Sequence, residues 1–355
     1  MEFKRRQTQQ IKVGNVLIGG GAPIAVQSMT KTDTRDTQAT VEQIQRLEEA
    51  GCELVRVAVP DQEAVESLEK IIPRVNIPVI ADIHFDHRLA VESIKKGVSG
   101  LRINPGNIGS KQRIQQIVRQ AKAGQIPIRI GVNSGSVERE ILEKHGQASP
   151  KAMVESVLKN IRIVEDMDFH LIKVSIKASD ILRTWESLKL LAQEVDYPFH
   201  AGITEAGTLY SGSVKSSAGL ALILRDGLAD TIRISLTAPP ELEVRTAFLI
   251  LSSLGLRKKG LNFISCPVCG RCRVELSPIA QEIEKRIQSV NQPMTVAVMG
   301  CEVNGPGEAR EADIGMACGK DFGLIFKHGK PLRRVRQEDM VDEFVKEVKK
   351  IADSS

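Results

Sequence analysis

The chain has 355 residues, 42% of them hydrophobic and 26% charged, with a formal net charge of +5 and only 3% aromatic side chains. These values describe a globular chain too long for one ordinary domain, and the scarcity of aromatics argues against a base-stacking nucleic-acid surface. No run approaches the ~18 apolar residues of a membrane span, and Met1-Glu2-Phe3-Lys4-Arg5-Arg6 lacks a signal-peptide core, so a cytoplasmic protein is expected.

Ile11 to Gly21 alternates around Gly14-Asn15, a hairpin signal suited to capping a barrel floor. Eight short runs rich in Val and Ile follow, predicted as strands at 24–29, 54–59, 78–83, 100–103, 127–132, 171–176, 199–204 and 231–236. Between them lie helical stretches, such as 39–50, 111–123, 151–165 and 179–194, with apolar positions three or four apart. Pro239-Pro240 opens a last helix of this series, running to Leu254. Eight strand–helix units over about 250 residues predict an α/β fold of the (β/α)8 TIM-barrel kind. An open doubly wound sheet would carry a glycine-rich phosphate loop after its first strand, and Ser28-Met29-Thr30-Lys31-Thr32 is no such loop. The barrel is placed at residues 1–255, a linker at 256–260 and a small α/β domain at 261–355. That domain is predicted with strands at 262–265, 294–299, 313–317 and 324–327, and with helices near 278–289 and 338–351.

The ends of barrel strands and the loops after them form the active-site face. Here they carry Arg56, Asp82, His84, Arg102, Asn104, Arg129, Asn133, Lys173, Lys177, His200, Glu205, Arg233 and Ser235. Residues two apart in a strand share a face, which pairs Asp82 with His84 and Arg233 with Ser235. Four arginines and a lysine embedded in apolar strands repel one another unless an anionic ligand joins them, so a phosphorylated small molecule, a diphosphate in particular, is expected. Glu205, in Gly202-Ile203-Thr204-Glu205-Ala206-Gly207, suits either an ion-pair partner or a proton donor.

Four of the six cysteines lie on two short segments, Ser265 to Cys272 and Met299 to Glu308. In a cytoplasmic chain such grouping indicates metal ligands rather than disulfides. Cys266, Cys269 and Cys272 repeat every third residue, as in half a ferredoxin run, and Cys301 is a distant partner. Tetrahedral zinc accepts the same donors, which leaves open a zinc-stabilised barrel lyase or isomerase acting on a sugar phosphate, or a zinc-ribbon nucleic-acid module. Two features favour iron–sulfur: the Asn304-Gly305-Pro306-Gly307 loop admits a bulky group, and it ends on Glu308, an exchangeable oxygen donor. Cys52 reads as core, and Cys318 has no assigned role.

With these residues in view, the chain resembles the 4-hydroxy-3-methylbut-2-enyl diphosphate synthases, iron–sulfur enzymes of the non-mevalonate isoprenoid pathway, in their short two-domain bacterial form. The matching segments are Pro23 to Thr30, Ala81 to Phe85, Arg102 to Asn107, Arg129 to Asn133, Gly202 to Gly207, Cys266 to Cys269 and Val303 to Glu308. The resemblance implies a barrel followed by a [4Fe-4S] domain. It implies two-electron reductive ring opening of 2-C-methyl-D-erythritol 2,4-cyclodiphosphate to 4-hydroxy-3-methylbut-2-enyl diphosphate and water. By the same resemblance Cys266, Cys269, Cys301 and Glu308 hold the cluster. Arg56, Asp82, His84, Arg102, Arg129, Asn133, Lys177, Glu205, Arg233 and Ser235 contact the substrate. It further implies a homodimer that shares its active site between subunits, and flavodoxin or ferredoxin as electron donor, with neither nucleic acid nor membrane as partner. One departure stands out: the family position matching Cys272 is usually not cysteine, so a further thiol lies beside the expected ligands.

Overall fold

The structure is a computed structural model that describes residues 4–272, 274–288, 290, 292–301, 307 and 309–353. The chain divides into two compact units, Met1–Ile250 and Leu251–Ser355.

The first unit begins with an antiparallel hairpin of β1 (Ile11–Val13) and β2 (Val16–Ile18). Gly14 turns it with a φ of 59°, and a Cβ there would stand 2.6 Å from Cγ of Pro78, a position only glycine fills. Ile11, Val13 and Ile18 pack on Ala25, Leu54 and Ile80, which plugs the floor of the barrel with apolar side chains.

The barrel strands are β3 (Ala25–Met29), β4 (Leu54–Ala58), β5 (Val79–Asp82), β6 (Gly100–Ile103), β7 (Ile128–Asn133), β8 (Ile172–Lys177), β9 (His200–Ala201) and, after the short β10 (Gly207–Thr208), β11 (Thr231–Ile232). They pair in the order β8-β7-β6-β5-β4-β3-β11-β9. A parallel bridge from Val174 to Phe199 joins β8 to the start of β9 and closes the ring, which rules out the open sheet. The last two strands are shorter than the sequence pattern predicts. The β9 ladder gives way at Gly202, where the backbone comes so near the Arg233 carbonyl that a Cβ would lie 2.2 Å from its oxygen. Beyond these ends, β10 pairs in parallel with β12 (Leu236–Thr237).

Helices α1 (Thr37–Glu49), α2 (Gln62–Ile71), α3 (His87–Lys95), α4 (Pro105–Ile108), α5 (Lys111–Gly124), α6 (Arg139–His145), α7 (Pro150–Glu165), α8 (Ile181–Leu191), α9 (Leu209–Arg225) and α10 (Pro240–Ser253) alternate with the strands. Side chains of Asp36, Asp61, Asp86, Ser149 and Asp180 accept hydrogen bonds from the first-turn N–H groups of α1, α2, α3, α7 and α8. Each such cap stabilises by about 1 kcal/mol and fixes where a loop on the active-site face ends. Outward strand residues such as Val55, Val57, Ile130, Val174 and Ile176 are fully buried beneath the helices. Burial of this kind, at roughly 25 cal/mol per Å² of apolar surface, holds the shell together and leaves the inward positions free for other chemistry.

The second unit is one sheet in the order β13 (Leu261–Ser265), β14 (Met294–Met299), β15 (Ile314–Cys318), β16 (Phe322–Lys327) and β17 (Lys330–Arg336). The first three strands are parallel and the last two join antiparallel. Helices α11 (Leu276–Ile287) and α12 (Met340–Asp353) form a core with the sheet through Ile283, Val296, Met316, Ile325, Phe344 and Val348. β17 has no counterpart among the predicted elements. Its Lys-Pro-Leu-Arg-Arg-Val-Arg sequence reads as a solvated charge run, yet an edge strand tolerates both proline and charge. Among the described residues no helix is long and apolar enough to cross a membrane.

Candidate active site and metal centre

Barrel interiors are ordinarily filled with branched apolar side chains. This one is apolar only at its floor. Above it the inward positions of β4, β5, β6, β7 and β8 carry Arg56, Asp82, Arg102, Arg129, Lys173 and Lys177, with His200 on β9. Asp82 is buried between two of them, 3.3 Å from Nε of Arg56 and 3.1 Å from Nη1 of Arg102. Arg129 is 4% exposed and Lys173 2%. Nε and Nη1 of Arg129, Nζ of Lys173 and Nε2 of His200 have no hydrogen-bond partner among the described residues. The other ring nitrogen of His200 lies 2.8 Å from Oγ1 of Thr231.

Two glycines make room for these side chains. A Cβ on Gly131 would come within 3.0 Å of Ser175 Oγ and 3.2 Å of Arg102 Nε, and one on Gly202 within 3.1 Å of Lys177 Nζ. Arg233, just past β11, reaches within 4.0 Å of Glu243, a residue of α10. Glu243 is fully buried, accepts from Ser28 Oγ at 3.2 Å and from the Leu236 N–H at 3.0 Å, and pairs with Lys31 at 3.0 Å. Sequence reasoning missed Glu243 because an acid in a first helical turn reads as a dipole complement.

The electrostatics follow from crowding like charges in a dry space. Burial, only partly offset by Asp82, brings the Arg56 guanidinium down to about 10. Burial and then neighbouring cations push Arg129, Lys173, Lys177 and His200 well below their usual values. Asp82 moves to the low side of the carboxylate range: burial works to raise it, but Arg56, His84, Arg102 and Arg129 outweigh that. Unsatisfied donors and surplus positive charge are the features of a site for a ligand with several anionic oxygens.

The remaining expected residues sit around the mouth. His84 is exposed directly after β5, with Nε2 3.6 Å from Asp82, and its ring meets exposed Phe85 edge-on at 6.0 Å. Asn133 ends β7, where its backbone N–H donates to Ser136 Oγ at 2.9 Å and its carbonyl accepts from that hydroxyl at 3.0 Å, closing the turn at 134–136. Ser235 is half-buried beyond β11, outside the ladder in which it was predicted. Glu205 is exposed in the loop between β9 and β10, with a φ of 51°. A non-glycine residue in this left-handed region is strained, and such strain gathers at functional sites.

In the second unit, Ser265 lies opposite Val298 in a parallel pair, so Cys266 and Cys301 leave β13 and β14 at the same end. The Gly300 N–H donates to the Cys266 sulfur at 3.3 Å. Between Cys266 and Cys269, Val268 has a φ of 61°, an outlier for a β-branched residue. The turn continues with a bond from the Cys272 N–H to the Cys269 carbonyl at 2.9 Å. Cys269 is exposed, and the backbone N–H and guanidinium of Arg271 hold its thiol below the usual range. Cys272 turns its sulfur toward Gly300, where a Cβ would lie 2.6 Å from it and 3.4 Å from that of Cys266. Cys318 is buried, and burial together with Cys272 and Cys266 pushes its thiol up to about 12. Glu308 and residues 302–306 lie outside the described residues. Among the described residues no three His, Cys, Asp or Glu side chains converge on one point. The donor chemistry does fit an iron–sulfur group: soft thiols on two loops at one end of a parallel pair, an N–H directed at sulfur, and a strained turn that sets the Cys266–Cys269 spacing.

A closed barrel with a cation-lined interior, followed by a thiol-bearing α/β unit, defines a barrel enzyme for an anionic small molecule with a metal-centre domain. The GcpE TIM-barrel domain matches residues 8–248, and the GcpE protein C-terminal domain matches residues 262–350. The chain belongs to the GcpE family. It is 53% identical over 347 residues to a protein of Geobacter sulfurreducens, covering 98% of each chain. It is 53% identical over 346 residues to one of Clostridium acetobutylicum, covering 98% of this chain and 99% of that one. A protein of Thermodesulfovibrio yellowstonii is 52% identical over 348 residues, covering 98% and 100%. All three relatives are named 4-hydroxy-3-methylbut-2-en-1-yl diphosphate synthase (flavodoxin). Among solved structures, dihydropteroate synthase from Stenotrophomonas maltophilia matches with a TM-score of 0.51 at 12% identity, covering 70% of this chain and 99% of its own. N-acetylneuraminic acid synthetase from Leptospira borgpetersenii matches with a TM-score of 0.51 at 15% identity, covering 80% and 98%; both likenesses concern the fold alone. The family is one of [4Fe-4S] enzymes, and the zinc-stabilised lyase or isomerase is not favoured.

Proposed function

We infer that this chain is an iron–sulfur oxidoreductase of isoprenoid biosynthesis that forms (E)-4-hydroxy-3-methylbut-2-en-1-yl diphosphate by reductive ring opening and dehydration of 2-C-methyl-D-erythritol 2,4-cyclodiphosphate. Substrate, two electrons and two protons give product and one water. The observation that carries this reading is the barrel interior, where buried donors of Arg129 and Lys173 without partners among the described residues sit in a ring of like charge.

In this reading Arg56, Arg102, Arg129, Arg233 and Lys177 grip the diphosphate, and Asn133 and Ser235 donate to it. Asp82 keeps Arg56 and Arg102 in place, and His84 contacts the substrate at the mouth. The grip is strongest as charge develops on the departing phosphate, a transition-state contribution. Glu205 delivers a proton to the oxygen that leaves as water. Cys266, Cys269, Cys301 and Glu308 hold the [4Fe-4S] group, which supplies electrons one at a time and a Lewis-acidic iron. The reading includes domain limits at 1–255, 256–260 and 261–355, and a cytoplasmic location. It includes a homodimer in which the C-terminal domain of each subunit closes the barrel mouth of the other. Flavodoxin or ferredoxin is the electron donor, and the relatives' names support the former.

The test is anaerobic purification with iron and sulfide quantitation, then assay with the cyclic diphosphate and dithionite. A brown protein with iron and sulfide in equal amounts, turning over this substrate, is expected. A colourless zinc protein, or one inactive under these conditions, would overturn the assignment.

A further inference from the structure

The C-terminal sheet has two unlike faces. One is covered by α11 and α12. On the other, Met299 and Ala317 are buried against Ala309 and Ala312, and the cross-strand register continues their row outward through half-buried Leu324 to Arg334, with Phe322 opposite Arg336 beside it. This row lies at the end of the sheet from which Cys266 and Cys301 emerge, because Met299 immediately precedes Gly300-Cys301. The turn from β15 to β16 adds exposed Lys320 at the same end. Arg334 is exposed, with its guanidinium 4.5 Å from the Phe322 ring centroid. From β14 to β17 is three strand spacings, ~14 Å.

The cations of β17 and of the turn from β15 to β16 are not all managed alike. Arg333, which points to the helix side, is tied to Glu343 and Glu347, and Arg336 to Glu338 and Asp339. Among the described residues Lys320 and Arg334 have no carboxylate partner. An exposed cation stacked on a half-buried aromatic and bordered by Leu324 forms a small apolar centre with a positive rim. This is the make-up of a transient interface, and redox encounters bury under ~1,200 Å².

We propose that Lys320, Phe322 and Arg334, with Arg336 at their margin, form the docking surface for the protein electron donor, a flavodoxin that presents an acidic rim around its flavin. The proposal rests on the redox function inferred above and gives it an entry point for electrons. The unpaired cations steer an acidic partner to the thiol-bearing end of the sheet, and Phe322 and Leu324 supply contact once it arrives.

The experiment measures the dissociation constant of purified FMN-loaded flavodoxin for the anaerobic holoenzyme by calorimetry, at low and at physiological ionic strength. Turnover is followed in parallel with reduced flavodoxin and with dithionite. The double variant Lys320→Glu/Arg334→Glu is expected to weaken binding about tenfold or more, flatten its salt dependence and raise KM for flavodoxin, with dithionite-driven turnover unchanged. Lys320→Gln/Arg334→Gln is expected to lose less, in proportion to the charge removed. Lys346→Glu/Lys349→Glu, on exposed positions of α12, is expected to change nothing. An unaltered dissociation constant in the Lys320/Arg334 variants would overturn the docking surface. So would a change of sedimentation state with flavodoxin affinity intact, which would make the face a contact between copies of this chain. If the unaltered protein fails with dithionite, the inferred reaction falls, and flavodoxin binding still decides the docking surface by itself.

Discussion

Glu205 is held at a φ of 51°, where an L side chain costs about 1–2 kcal/mol and glycine costs nothing. Glu205→Gly is therefore expected to raise thermal stability by about 1 kcal/mol while turnover collapses. Glu205→Gln is expected to leave substrate affinity in place and lower kcat about 10²-fold or more. Melting temperature, dissociation constant and kcat measured on the same variants check this, and unchanged turnover removes Glu205 from the reaction. Lys177 makes a second claim at this scale. Burial, then Arg129 and Arg233, lowers its pKa well below the unfolded value of about 10.4. Between those two values the unfolded chain binds more protons than the folded one, so stability of the substrate-free protein rises with pH across that window. A bound diphosphate raises the Lys177 pKa again, so binding within that window is expected to take up protons and to weaken as pH rises. Calorimetry in buffers of different ionisation enthalpy reads that uptake directly, and no net exchange would contradict it.

At the scale of elements, β4, β5 and β6 act together through one carboxylate, since Asp82 bridges Arg56 and Arg102 from its two neighbouring strands. Asp82→Asn leaves both guanidiniums without a counter-charge, and a loss of about 3 kcal/mol is expected in the substrate-free protein. Inorganic diphosphate is expected to restore part of it, because an anion takes over the pairing. Thermal melts with and without diphosphate make the check, and an equal loss in both would mean that the barrel does not bind the anion there. Strand periodicity alone marked Arg56, Arg102 and Arg129 as sharing a chemical character. It did not reveal which carboxylate anchors them, nor that Glu243 enters from a helix, because those partners lie 20 or more residues away in sequence.

At the scale of the molecule, each unit has its own apolar core, with Ile11, Ala25 and Leu54 among the residues of one and Ile283, Val296 and Phe344 among those of the other. Loss of a metal ligand is therefore expected to stay local. Cys301→Ser should lose iron while the barrel keeps its affinity for diphosphate, and Cys272→Ser should keep its iron. Iron analysis and diphosphate calorimetry on both variants decide the matter, and iron loss in Cys272→Ser would place that thiol among the ligands.

The alternation of strand and helix and the spacing of Cys266, Cys269 and Cys272 were evident in the sequence by itself, because each is a property of residues close together along the chain. Those local periods were enough to predict a closed barrel and a thiol-bearing α/β unit. The tertiary structure decided what depends on residues far apart. The Val174–Phe199 bridge closes the ring, Gly131 and Gly202 admit the cationic side chains, and Glu205 takes its left-handed backbone from the loop that holds it. The edge strand β17 belongs with these, since its charged sequence becomes a strand only when β16 is there to pair with it. Register, burial and closure bring distant residues to one place, and a pattern of neighbours along the chain carries no record of them.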